Sequence, residues 1–486
     1  MKKTLLSFLV AALALTTFAT SARADVTLPK CFGDAAVLQR DKPICVWGWA
    51  DAGEQVTVTF AGTTAKATAG EDGAWKVYLP AQPASFEARD LVVEGKNKVA
   101  FSNVLVGEVW ICSGQSNMEQ PLNSWGQPRL SCTEDEINGD FSFIRFNRAH
   151  HVIKSEEQKD FATNGWRVCK DGVQKDCTAC GFHFAVRLNK ELNVPVGLID
   201  SNWGGSNINS WIPDAGWNEV PETVEVGKKL LAARDGAKDW DKCGGMYNAM
   251  LAPWKNYSIR GAIWYQGCSN AGEREFYYCK QKAMIREWRE VFGQGDFPFY
   301  WVQLASFTDA QDDPNNTGDW PYLRRGQQNC LEVANTGQAV IIDAGEAKDI
   351  HPRNKWIVGN RLAVWALAHT FNKDVDCASP IAAKADFADG KATVTFDFVG
   401  SGLVVGKLND REFSAIDGKL ARFAVAGKDG KFVWADAQIV GKNQVVVSAE
   451  SVAEPTAVRY AWQMNPDGAN LYSAEGLPAA PFEIVK

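Results

Sequence analysis

An α/β fold is predicted for the middle of this chain, a parallel sheet with helices on both faces and β-rich regions on either side. Two observations carry it. Near-continuous apolar runs, "VLVGEVWI", "VPVGLID", "IRGAIWY", "FPFYWVQLA" and "AVIIDAG", alternate with longer segments of helical pattern at 182–192, 245–255, 274–291, 321–334 and 355–371. Strands apolar at every position are buried on both faces, which is the mark of a parallel sheet under two helical layers. The flanks instead show short β-type runs punctuated by Gly, Asp and Pro. With 486 residues, 46% of them apolar and 11% aromatic, the chain has material for more than one core.

Residues 1–24 read as a segment apart. Lys2 and Lys3, an apolar run and the small-residue site Ala22-Arg23-Ala24 have the form of a cleaved signal peptide, so the mature chain is expected to begin near Asp25 in a secreted or periplasmic setting. The apolar run is short, and no later segment reaches the roughly 18 uninterrupted apolar residues of a membrane span. From 25 to 106, "ICVWGWA", "QVTVTFAG", "AWKVYLP" and "DLVVEG" suggest a small antiparallel sandwich. The α/β region is assigned to 107–374. After it, "KATVTFDFV", "KFVWADAQIV" and "QVVVSAE" return to β-type patterning, giving a C-terminal β-rich region over 375–486.

Charge and cysteines narrow the function. The formal charge of −7 becomes −10 without Lys2, Lys3 and Arg23, and no basic cluster tracks a phosphate backbone, so nucleic acid is not an expected partner. All twelve cysteines lie beyond residue 24, where an oxidising compartment permits disulfides. Cys177 and Cys180, with Cys169 nearby, form a CxxC, but no second ligand pair or thioredoxin-like context accompanies it, and structural thiols are the simpler reading. No metal motif and no cofactor fingerprint is present.

The chemistry is expected where strands of a parallel sheet end. Ser116 follows "VLVGEVWI" directly, in "CSGQSNM". A serine hydroxyl is a weak nucleophile until a base takes its proton and donors receive the oxyanion. Five histidines are available. His150 and His151 sit in a polar connection, His183 begins an amphipathic segment, and His369 closes a helix-like run, an ordinary place for a cation. His351, in "DAGEAKDIHPRNK", lies past a strand candidate and before the last helix of the region. Asp349, two residues earlier, is placed to orient its ring.

Four blocks in order, "GEVWICSGQSNM", "SNWGGSNINSW", "WYQGCSNA" and "DIHPRNK", resemble those of the sialate O-acetylesterase family within the SGNH-hydrolase (GDSL-like) superfamily. "AVLQRDKPICVWGWADAGEQVTV", "GAWKVYLP" and "NLYSAEGLPAAPF" resemble its flanking regions. The likeness implies a flavodoxin-like SGNH-hydrolase sheet and a serine esterase that removes O-acetyl groups from sialic acid without a cofactor or metal. It implies Ser116 as nucleophile and His351 as base, with the Ser116 and Gly205 backbone N–H groups and the Gln266 amide as oxyanion donors, Asn270 being the alternative to Gln266. Many SGNH enzymes carry the orienting acid three residues before the histidine, where Lys348 stands here, so a Ser–His dyad is an alternative to a triad completed by Asp349. Cys268 stands where the family has glutamate, and Cys279 is one candidate disulfide partner for it. The alternative functions are an acetylesterase for another glycan such as acetylated xylan, and a carbohydrate-binding protein whose catalysis has decayed.

Overall fold

The computed structural model describes residues 25–124 and 132–486; the segment read as a signal peptide lies outside the described residues. Six parallel strands form the central sheet: β7 (Lys98–Gly114), β8 (Phe141–Ala149), β10 (Val196–Asn202), β11 (Gly261–Tyr265), β12 (Phe299–Val302) and β13 (Thr336–Ala339), ordered β13-β12-β11-β7-β10-β8. The strand β9 (Thr163–Cys169) adds an antiparallel edge beside β8. The chain passes from β7 to β8 and β10 on one side and then crosses to β11, β12 and β13 on the other, so the carboxyl end of β7 is a topological switch point, where sheets of this kind open a crevice for ligands.

Alternation along β7 explains its unbroken apolar run. Val109 and Ile111 point into one core with Trp264, Trp288, Phe299 and Trp301. Trp110 and Cys112 point into the other with Phe184, Leu198, Tyr300 and Leu362. Each face is closed by helices: α3 (Ala179–Leu192) and α7 (Lys355–Trp365) cover the second, whereas α5 (Tyr277–Phe292) and α6 (Trp320–Asn329) cover the first. The shorter α1 (Ser116–Glu119), α2 (Glu134–Asn138) and α4 (Val224–Ala232) lie in the connections.

Several elements differ from the sequence pattern. Residues 245–255 make a π-helical turn at Tyr247–Leu251 and a 3₁₀ turn at Ala252–Trp254, where Pro253 lacks the N–H a longer helix would need. The strand expected at "AVIIDAG" ends at Ala339, because Val340 and Ile342 turn away to pack in the C-terminal core. β8 and β9 are strands that the apolar pattern does not announce. β8 mixes Arg145, Asn147 and Arg148 into its apolar positions, and each is satisfied internally: Arg145 by Asn103, Asn147 by the Lys30 carbonyl, and Arg148 by Asp200.

Before the central sheet come β1 (Val37–Gln39), β2 (Ile44–Trp49), β3 (Gln55–Phe60), β4 (Thr63–Thr68), β5 (Ala74–Leu79) and β6 (Ser85–Glu94). β7 carries the chain past residue 106 without a break: its first half pairs with β6 and β1, its second half with β10 and β11. At the junction the buried Glu108 carboxylate accepts from Gln39, Arg40 and Arg260, so one ion cluster ties the early strands to the sheet. At the other end a β-rich region from Ile381 to Val485 docks through Arg324, fully buried, which donates to the carbonyls of Leu304, Ala305, Gln463 and Met464. Among the described residues no helix is long and apolar enough to cross a membrane.

His183, on α3, packs against Gly359 of α7 and is 1% exposed. Burial pushes its imidazole down to about 4, from an ordinary value of 6.5, against the pull of Glu136. The unfolded chain therefore takes up this proton at a higher pH than the folded chain, and stability falls as pH drops from about 6.5 towards 4. Between pH 7 and pH 5 the loss from this residue is about 2 kcal/mol. Urea unfolding of wild type and His183→Gln at the two pH values checks it: the substitution is expected to remove that part of the acid sensitivity.

Candidate active site

Three loops converge at the switch point, after β7, β10 and β11. Gly114, with φ of +138°, ends β7 where a Cβ would lie 2.2 Å from the Tyr265 carbonyl oxygen, so only glycine lets the chain turn this close to β11. Gln115 then threads the loops together. Its N–H donates to Tyr265, and its side-chain oxygen accepts from the N–H groups of Gly267 and Ser269. The Ser269 hydroxyl in turn donates to the Gly205 carbonyl at 3.1 Å. Ser116 emerges half-buried at the first position of α1, where its N–H has no carbonyl within the helix to bond.

His351 comes from the loop between β13 and α7. Its Nε2 lies 2.9 Å from Ser116 Oγ and its Nδ1 lies 3.1 Å from Asp349 Oδ1. The same Asp349 oxygen accepts the His351 backbone N–H at 2.8 Å, so the two-residue spacing closes a tight turn that holds ring and backbone together. The Asp349 side chain is 47% exposed, and a carboxylate so open to water orients the ring more than it charges it. Lys348, at the position many SGNH enzymes give to the acid, points into solvent and pairs with Asp309.

Gly205 holds φ of +75° with open space where a Cβ would be, and its N–H meets no acceptor among the described residues. Gln266 is fully buried: its amide donates to the Ser206 carbonyl at 3.1 Å and to Asn270 Oδ1 at 2.7 Å, while its Oε1 accepts from Tyr277. Both amide hydrogens are thus spent inside the protein, which departs from the expectation that Gln266 reaches an oxyanion. Asn270, the alternative, donates one hydrogen to Asn207 Oδ1 and keeps the other. Cys268 is beside Asn117, and burial first of all pushes its thiol up to about 12. It is not bonded to Cys279, which sits in a separate small cluster with Val220 and Ala283.

Further residues complete the frame that the sequence left unassigned. Asn117 donates to the Ile350 carbonyl at 3.0 Å and accepts from the buried Lys355 ammonium, so it fixes the backbone just before His351. Glu119 accepts the Gly204 N–H on one oxygen, and His151 Nε2 lies 3.2 Å from the other. Burial alone would raise the Glu119 carboxyl, but His151, the Gly204 N–H and Arg148 outweigh it and hold the group below its ordinary value. His151 also stacks on Trp203, ring centres 4.3 Å apart. The sequence signals His151 only by its place just past the run "FSFIRFNRA". The CxxC cysteines Cys177 and Cys180 are buried beneath α1. Among the described residues a thiol, a carboxylate and an imidazole gather only at Cys132, Glu136 and His183, away from Ser116. There Arg411 and the Thr133 N–H already occupy the Glu136 carboxylate.

A serine hydroxyl bonded to an imidazole, beside backbone N–H groups free to receive a negative oxygen, is the arrangement of a serine hydrolase. Comparison with known proteins places the chain within that class. Residues 106–354 match the family described as carbohydrate esterase, sialic acid-specific acetylesterase. The chain belongs to this family and is a carboxylic ester hydrolase. It is similar to the sialate O-acetylesterases of Homo sapiens, at 26% identity over 496 residues covering 92% of this chain and 90% of that one, and of Mus musculus, at 26% over 516 residues covering 92% of each. Among solved structures it is similar to a carbohydrate acetylesterase from Xanthomonas citri, at 35% identity and a TM-score of 0.84, covering 95% of this chain and 99% of that one.

Because Glu119 anchors the loop that carries Gly205, Glu119→Gln is expected to lower kcat by about tenfold while KM changes little. Steady-state kinetics on an acetyl ester measure it. An unchanged kcat shows that the loop needs no charged anchor.

Proposed function

We propose that this enzyme removes O-acetyl groups from sialic acids through an acetyl-enzyme on Ser116. The bond between Ser116 Oγ and His351 Nε2 carries the reading. His351 takes the hydroxyl proton as Oγ attacks the acetyl carbonyl carbon, and the carbonyl oxygen becomes an oxyanion. The N–H groups of Ser116 and Gly205 receive that oxyanion, with the Asn270 amide preferred to Gln266 as third donor because it keeps an unspent hydrogen. Collapse breaks the bond to the sugar oxygen, which leaves with the proton from His351. Water, deprotonated by the same imidazole, then attacks the acetyl carbon and releases acetate, and Oγ regains its proton. Asp349 holds the ring for both transfers. No step calls for a cofactor.

The sialate substrate is supported by the names borne by the family and by the curated relatives, which align over nearly the whole chain. A second reading, acetylated glycan of another kind such as xylan, is favoured by the higher identity to the Xanthomonas citri carbohydrate acetylesterase. Residues 1–24 act in this account as a cleaved export signal, which places the enzyme in the periplasm or outside the cell.

Acetate release from 9-O-acetylated sialic acid and from acetylated xylan by the purified enzyme separates the two substrates. Ser116→Ala and His351→Ala are each expected to lower kcat at least about 10³-fold. Asp349→Ala is expected to cost only about 10- to 100-fold, since its carboxylate is 47% exposed. Release from xylan alone replaces the substrate and keeps the mechanism. Full activity in Ser116→Ala overturns the mechanism, and absence of any turnover in the wild type favours a carbohydrate-binding protein.

A further inference from the structure

Away from Ser116, the two-stranded antiparallel sheet of β2 and β5 forms the floor of a cleft of about 470 Å³, closed on its other side by residues 157–159 and 252–256. That volume is within the range of about 300–1,000 Å³ typical of small-molecule sites. Trp47 and Trp49 lie two apart on β2 and so share one face of this small sheet. Trp49 is half-buried and lines the cleft; Ala74 is paired opposite it and Lys76 opposite Trp47. The rim is polar. Lys76 donates to Asn256 Oδ1 at 2.7 Å, Lys255 pairs with Glu157 at 2.6 Å, and the Lys159 ammonium lies over one face of the Trp49 ring, 5.9 Å from its centroid, leaving a sugar the other. Trp75 borders the same cleft beside Gly48. It is 4% exposed, and its indole N–H has no hydrogen-bond partner among the described residues.

We infer that this cleft is a second carbohydrate site, which holds an oligosaccharide by a pyranose ring laid on Trp49. An indole face accepts the C–H side of a sugar, and amide, carboxylate and ammonium groups at its edge exchange hydrogen bonds with hydroxyls. The cleft is concave and bounded by charged side chains, which suits a short glycan segment rather than a flat protein surface. The connection that begins at His151, against Glu119, continues through Glu157 to Lys159 in the cleft wall, so one strap links the two sites. The site anchors the glycan whose acetyl groups the esterase removes, and it acts on KM for long substrates rather than on the chemical step.

Calorimetric titration of the whole enzyme with 6′-sialyllactose and with xylohexaose tests this, since neither probe carries an acetyl ester to be turned over. At least one probe is expected to bind. Trp49→Ala and Asn256→Ala are each expected to weaken that binding tenfold or more while turnover of 4-nitrophenyl acetate stays within twofold. Should Trp49→Ala fail to fold, Asn256→Ala and Lys159→Glu, both at the rim, decide the matter. Binding of neither probe to the wild type, or affinities within twofold in the folded variants, overturns the inference. Its fate is separable from that of the proposed substrate. An enzyme that deacetylates neither sugar but loses oligosaccharide with Trp49 keeps this site and loses the sialate reading.

Discussion

The contact on which the site depends joins Ser116 to His351 across 235 residues of sequence. Nothing local brings these side chains together; the sheet does. β7 delivers Ser116 and β13 leads into the His351 loop, with β11 and β12 lying between them in the sheet. Gly114 sets the direction of delivery, because a side chain there would collide with the Tyr265 carbonyl and push the loop out of line. Asn117, on the helix that Ser116 begins, then holds the His351 loop through the Ile350 carbonyl and is itself held by Lys355 of α7, so the serine and the imidazole share one support. A reacting pair fixed in this way meets substrate without reorganising.

The same economy governs the loops around the serine. Gln115 bonds the β11 loop, Ser269 bonds Gly205, and Glu119 bonds Gly204, so the backbone around Ser116 and Gly205 is braced by neighbouring side chains. Gln266 belongs to this bracing: fully buried, it joins Ser206, Asn270 and Tyr277. Preorganised donors of this kind favour the charged intermediate over the neutral ester. Glu119 is well suited to its part, since His151 and Arg148 keep it ionised in a buried place.

Much of this was legible in the sequence. The unbroken apolar runs fix the parallel sheet, and the positions of Ser116 and His351 just past strand-like segments put both at one edge. What was hidden has physical causes. β8 was obscured by Arg145 and Arg148, whose guanidinium groups find partners far away in sequence, the Asn103 amide oxygen and the Asp200 carboxylate. The end of β13 was misplaced because Val340 and Ile342 are apolar for the sake of a different core. Gln266 reads as a donor until its two hydrogens are counted against Ser206 and Asn270, and that count exists only in three dimensions. Glu119 carries no mark at all, since a glutamate one turn beyond a serine is common on any helix.

Active-site labelling of the purified enzyme by a fluorophosphonate, followed by peptide mapping, tests the central claim most directly. The account predicts a single adduct on the peptide containing Ser116, formed quickly in the wild type and lost in His351→Ala. An adduct on another serine, or labelling of Ser116 at an undiminished rate without His351, would contradict it.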